Sequence, residues 1–128
     1  KPATTRAAAS VKIVLVGEVK GRDVVLVDDM VSTGGSIVDA ARIVKQKGAN
    51  AVFIVATHAV LAGKAVERLN TAEVEKILFA DTIPMPQKQI TRLEVVSVAQ
   101  LLARAIDRIH RSEGTALSIR RRWCRRLA

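Results

Sequence analysis

The sequence has no tyrosine, and only Phe53, Phe79 and Trp123 supply aromatic rings. That scarcity argues against the stacking surface on which proteins hold single-stranded nucleic acid. One cysteine, Cys124, leaves no internal disulfide to form and points to a reducing, cytoplasmic setting. No run of ~18 apolar residues is present, so no membrane span is expected. Residues 1–10 have no apolar core and do not read as a secretory leader. They also lack an initiator Met, so the chain is expected to begin inside a longer protein. The Walker A pattern and the dinucleotide glycine pattern are both missing, as is any internal repeat.

Acidic residues are outnumbered, 12 against 21 Lys and Arg, which gives a net charge of +9. The excess is uneven. Residues 119–128 carry five arginines and no acid, and without them the balance is 16 − 12 = +4. The body is therefore only mildly basic, as suits an enzyme of phosphorylated substrates. The tail is read as a separate Arg-rich extension, 119–128, and no specific nucleic-acid partner is expected from a charge run alone.

What the sequence does have is apolar runs of strand length. Val11–Val16 reads as a strand and Gly17–Asp23 as a turn. Val24–Asp28 and Ala51–Ala56 are apolar runs without alternation, the pattern of strands covered on both faces. Lys76–Ala80 and Leu93–Val96 complete the strands. Between the second and third of these five strands, Ile37, Ala40, Ala41 and Val44 mark one face of a helix over Ser36–Lys47, with Gly48 placed to end it in a left-handed turn. A short helix is expected at Gly63–Leu69. A last helix, capped by Ser97, presents Val98, Leu101, Leu102, Ala105 and Ile109 on one face. The order implies one α/β domain, residues 1–118, with a mostly parallel sheet flanked by helices.

The chemistry concentrates in Val24–Ile37, VVLVDDMVSTGGSI. A strand ends in Asp28 and Asp29, a loop over Met30–Gly35 with Ser32, Thr33, Gly34 and Gly35 follows, and a helix opens at Ser36. Ligands of open α/β sheets gather at the carboxyl ends of strands. Gly34 and Gly35 allow close approach of backbone to a phosphate. The first amide hydrogens of the helix and its dipole favour that negative charge. Thr33 and Ser36 add hydroxyl donors. Asp28 and Asp29 can accept hydrogen bonds from the vicinal hydroxyls of a sugar and help hold Mg²⁺ through water. Phosphate at one end and diol at the other describe ribose 5-phosphate. The same glycines also suit an ordinary turn, and it is the pair of acids beside the hydroxyl-rich loop that favours the ligand.

This segment resembles the phosphoribosyl-diphosphate signature of type I phosphoribosyltransferase folds. GEVKGRDVVLVDDM, THAVLAG, ADTIPMP and LLARAIDRIHRSEG resemble, in that order, the C-terminal half of ribose-phosphate diphosphokinases. The resemblance implies Mg²⁺-dependent transfer of the diphosphoryl group of ATP to the 1-hydroxyl of ribose 5-phosphate, for nucleotide biosynthesis. It implies that Asp28 and Asp29 hold the ribose hydroxyls and that Ser32, Thr33, Gly34, Gly35 and Ser36 form the 5-phosphate loop. It further implies a homo-oligomer, and a basic catalytic loop just before this chain, of which Lys1 is the candidate last member. Family members often carry an acid in place of Ser32, and Ala-Gly-Thr in place of Gly34, Gly35 and Ser36; the loop stays small and hydroxyl-rich. The family's N-terminal half, with most of the ATP pocket, is absent, so the chain alone is expected to make little product and to leave apolar faces uncovered.

His58 reads as a hydrogen-bonded structural residue beside the site, and His110 as a favourable charge at a helix end. Asp81 suits a ligand cleft or a turn cap equally well. Cys124 has no partner base. Two alternatives use the same loop: a phosphoribosyltransferase, which needs a base-binding hood not identified here, and a non-catalytic regulatory subunit of the same fold.

Overall fold

Each strand pairs with the one the chain made just before it. The computed structural model describes residues 14–85 and 90–114. In it, β1 (Val24–Val31), β2 (Val52–Ala59), β3 (Lys76–Ala80) and β4 (Leu93–Val96) form a sheet in the order β1-β2-β3-β4. All three pairings are parallel, with Leu26 beside Ile54, Ile54 beside Ile77, and Ile77 beside Leu93. The expected α/β class with a parallel sheet is what the chain forms.

Helix α1 (Gly35–Gln46) connects β1 to β2, α2 (Ala65–Thr71) connects β2 to β3, and α3 (Ala99–His110) follows β4. The core lies between the first two helices and one face of the sheet. Ile37, Ala41 and Val44 of α1 and Leu69 of α2 are buried there with Val52, Ile54, Ile77 and Phe79. Gly48, at φ 89°, ends α1 as expected. Its N–H donates to the Lys45 carbonyl at 2.9 Å, and the Ala49 N–H to the Val44 carbonyl at 3.1 Å, the two bonds of a left-handed helix stop.

Four expectations need correcting. The strands β1 and β2 run three residues past their apolar stretches, because the ladder continues through Met30 beside His58 and Val31 beside Ala59. Met30 and Val31 therefore belong to the strand and not to the loop. The expected strand at Val11–Val16 is absent where it can be judged: Val14, Leu15 and Val16 are not in a strand, and Val14 and Val16 are exposed. Among the described residues no strand pairs with them, and an unpaired extended segment gains no ladder hydrogen bonds. Ser97 stands one residue ahead of the helix cap, which is Val98.

The fourth correction concerns the sheet faces. Consecutive apolar residues in β1 led to an expectation of cover on both sides, yet Val25 is 55% and Val27 75% exposed. Side chains alternate across a strand, so these two occupy the face opposite α1 and α2. Helix α3 buries none of its residues, and Leu101, Leu102, Ile106 and Ile109 of its apolar face are exposed.

Asp81 bonds to the start of α3 rather than capping the turn through Thr82 and Pro84. Its Oδ1 accepts the Val98 N–H at 2.8 Å, and the Ala99 N–H lies 3.3 Å from Ser97 Oγ. The end of β3 is thereby tied to the start of α3. A hydrogen bond from the Ser97 hydroxyl, then the one from the Val98 amide, holds the Asp81 carboxyl below its ordinary 3.8. A lowered folded-state pKa contributes stability above the unfolded value and loses it as pH falls through the folded value. Thermal midpoints followed from neutral to acid pH are expected to fall less steeply below the ordinary carboxylate range in Asp81→Asn than in wild type. Phe79 is fully buried, so Phe79→Ala is expected to lower unfolding free energy by about 3–5 kcal/mol in urea melts. Val27→Thr, on the bare face, is expected to change it by less than about 0.5 kcal/mol.

Candidate functional site

The carboxyl end of β1 runs into a loop, and the carbonyls of Val31, Ser32 and Thr33 face one way. The Leu61 N–H donates to the Val31 carbonyl at 3.1 Å, and the Ala62 N–H to the Ser32 carbonyl at 2.9 Å. The Arg68 guanidinium donates from Nη1 to the Thr33 carbonyl at 2.9 Å. Three consecutive carbonyls are therefore turned toward the segment that joins β2 to α2. No peptide bond of the described chain is cis. In a trans peptide the carbonyl and the next N–H point in opposite directions. The amide hydrogens of Ser32, Thr33 and Gly34 consequently face away from that segment, and no hydrogen bond among the described residues uses them.

On that other side lies a shallow depression of about 140 Å³. Asp28, Ser32, Thr33, Gly34, Gly35 and Ser36 line it; Leu61, Ala62 and Arg68 do not. Gly34 caps α1 at φ 72°, a left-handed conformation that glycine adopts without the Cβ penalty. No side chain caps α1, so the amide hydrogens of its first turn lack intrahelical partners as well. Successive free amides from loop to helix make a concavity suited to an anion, and the helix dipole adds to it.

Six of the seven residues expected to form a sugar-phosphate site thus gather around one depression. Asp29 is not in its lining. It follows Asp28 in the strand, so its side chain leaves from the opposite face, and its N–H donates to Asp28 Oδ1 at 2.9 Å. That bond occupies one oxygen of Asp28 and sets the orientation of its carboxylate beside the loop.

His58 stands next to Met30 in the ladder, at the same end of the sheet. Its Nδ1 lies 2.7 Å from Thr82 Oγ1, and that hydroxyl donates to the Thr57 carbonyl at 2.7 Å. With its one hydrogen committed, Thr82 accepts, so Nδ1 of His58 carries the proton and donates. The chain of bonds joins β2 to the turn after β3. Asp81 is engaged with α3, as described above. His110 is exposed in the last turn of α3. Lys1, Cys124 and the Arg-rich tail lie outside the described residues. Among the described residues no three His, Cys, Asp or Glu side chains are grouped to hold a metal ion, and no helix is long and apolar enough to cross a membrane.

Leu61, Ala62 and Arg68 were not singled out by the sequence. Leu61 is buried at φ 52°, an uncommon conformation for a branched side chain, and its strain is held by burial and by the bond to Val31. Arg68 is one of 21 basic residues and meets its carbonyl across 35 positions. No local pattern marks such a contact.

Comparison with known proteins places the chain in a family. Residues 3–120 match the phosphoribosyl synthetase-associated domain family. The chain is 41% identical over 104 residues to the ribose-phosphate pyrophosphokinase of Aquifex aeolicus, covering 81% of this chain and 33% of that protein. It is 45% identical over 105 residues to that of a Nostoc species, covering 81% and 31%. The crystal structure of phosphoribosylpyrophosphate synthetase from Mycobacterium smegmatis superposes with a TM-score of 0.72 at 38% identity, over 76% of this chain and 33% of that one. The chain spans about a third of the length of these relatives. With its parallel sheet, its glycine-hydroxyl loop and a match over nearly the whole sequence, the chain belongs to the phosphoribosyl synthetase-associated domain family.

Proposed function

We propose that this chain forms the ribose 5-phosphate site of a cytoplasmic ribose-phosphate diphosphokinase. The observation that carries the reading is the loop of free amides between β1 and α1, bordered by Asp28. Phosphate oxygens would accept the amide hydrogens of the loop and of the first turn of α1, with Thr33 and Ser36 adding hydroxyl donors. The carboxylate of Asp28, which lines the depression, would accept hydrogen bonds from the ribose diol, while Asp29, on the opposite face of the strand, holds that carboxylate through its N–H.

The complete enzyme would transfer the β,γ-diphosphoryl group of ATP to the 1-hydroxyl of the sugar and assemble as a homo-oligomer. Such chemistry rests on positioning and charge neutralisation. This chain's part in it is to fix the sugar by its phosphate and diol, so that the 1-hydroxyl is presented in one orientation. Mg²⁺ commonly uses one or two carboxylates and keeps several waters; of the two acids Asp28 lines the depression and would hold the ion there through water, where it would neutralise phosphoryl charge.

Calorimetric titration of ribose 5-phosphate into the chain with Mg²⁺ is expected to give saturable binding. The Asp28→Asn, Asp29→Asn double variant is expected to weaken it by about tenfold or more, the loss of charge-assisted bonds to hydroxyls. Absence of binding by a folded wild-type chain would remove the reading. With ATP added, the chain alone is expected to form little product; robust turnover would show that the ATP side, too, is carried here.

A further inference from the structure

We infer that Arg68 is a positioning residue of the phosphate loop. It fixes the Thr33–Gly34 peptide so that the Gly34 amide is presented to the anion. The inference rests on the sugar-phosphate reading of the loop.

Three successive carbonyls, from the last residue of β1 into the loop, are held in two ways. Those of Val31 and Ser32 are bonded by backbone amides, Leu61 N–H and Ala62 N–H. Both donors belong to a segment pinned by the buried Leu61. The Thr33 carbonyl is held differently, by a side chain alone: Arg68 Nη1 at 2.9 Å. That peptide is also the one most able to turn over. Its second residue is Gly34, for which positive and negative φ are nearly equal in cost, and its φ is 72°. A flip of the Thr33–Gly34 peptide would put a carbonyl oxygen where the anion sits and remove an amide donor. Arg68 opposes the flip.

The guanidinium is well suited to this task. It is planar, always charged and donates in a fixed fork. A Cβ added at Gly35 would lie 3.5 Å from Arg68 Nη1, so the cation rests against the very start of α1. Its charge therefore adds to the positive end of the helix from behind the loop, without lining the depression. Helix α2 supplies the anchor: Leu69, next to Arg68, is buried in the core, and the Arg68 carbonyl accepts the Thr71 hydroxyl at 2.9 Å.

The experiment titrates ribose 5-phosphate into the full chain as wild type, Arg68→Met and Arg68→Lys, with a thermal midpoint recorded for each. Arg68→Met is expected to lose about tenfold in affinity, as for loss of a hydrogen bond from a charged donor. Arg68→Lys keeps a charged N–H donor on a long side chain and is expected to regain most of that loss. On ligand addition the Gly34 amide proton is expected to move downfield in wild type and Arg68→Lys, and to move less in Arg68→Met. Wild-type affinity in Arg68→Met overturns the assignment while leaving the sugar-phosphate site in place. So does a loss in Arg68→Lys as deep as that in Arg68→Met. If Arg68→Met fails to fold, the Gly34 proton decides: in a wild type that binds, a proton that does not move overturns the assignment. No binding by folded wild type removes the sugar-phosphate reading itself, and the role of Arg68 with it.

Discussion

Right-handed crossovers govern what this chain can build. A parallel strand–helix–strand unit returns its helix to one particular face of the sheet, and which face depends on the direction in which the next strand is added. Here every strand is added on the same side, β1 to β2 to β3. Helices α1 and α2 must then land on the same face, where they close the core over Ile54, Ile77 and Phe79. The other face receives no crossover helix, which is why Val25 and Val27 remain exposed although their sequence reads as core. Ligand sites of such sheets lie where the strand order reverses. The described strands show no reversal, and the candidate loop stands at the carboxyl end of the edge strand β1.

The loop depends on the same winding. The segment after β2 crosses the carboxyl end of β1 on its way to α2, and this brings Leu61, Ala62 and Arg68 to the three loop carbonyls. The anion side of the loop is thus shaped by donors behind it. A phosphate meets amide hydrogens because their carbonyls are already occupied elsewhere. The two acids are set apart by the strand itself: alternate sides for Asp28 and Asp29, and a bond from one to the other. One acid borders the depression and the other stands at its back.

Much of this was legible in the sequence. The strand–loop–helix order around Asp28 and Gly34 followed from apolar run lengths and helix periodicity. Gly48 announced the end of α1. What could not be read has identifiable causes. Thr57, His58 and Ala59 extend β2 because a neighbouring strand offers ladder partners, and local polarity says nothing of that. The bare face of β1 was hidden because an apolar run looks the same whether its second cover is present or not. Val14–Val16 has the composition of a strand and no partner to make it one. Arg68 acts across 35 residues, and only the fold brings it to the loop.

The one-directional strand order also bears on how the domain is assembled in time. Each strand's partner is its nearest predecessor in the chain, so the first two ladders each close over one helix, the third closes over the segment that joins β3 to β4, and no strand waits for a partner synthesised much later. Loop-closure entropy grows slowly with separation, and folding slows as contacts become less local. A sheet laid down in this order can add one strand–helix unit after another as the polypeptide lengthens. The phosphate loop, completed only when α2 docks Arg68 against Thr33, would take its final shape after two strands are paired and before the last two are added.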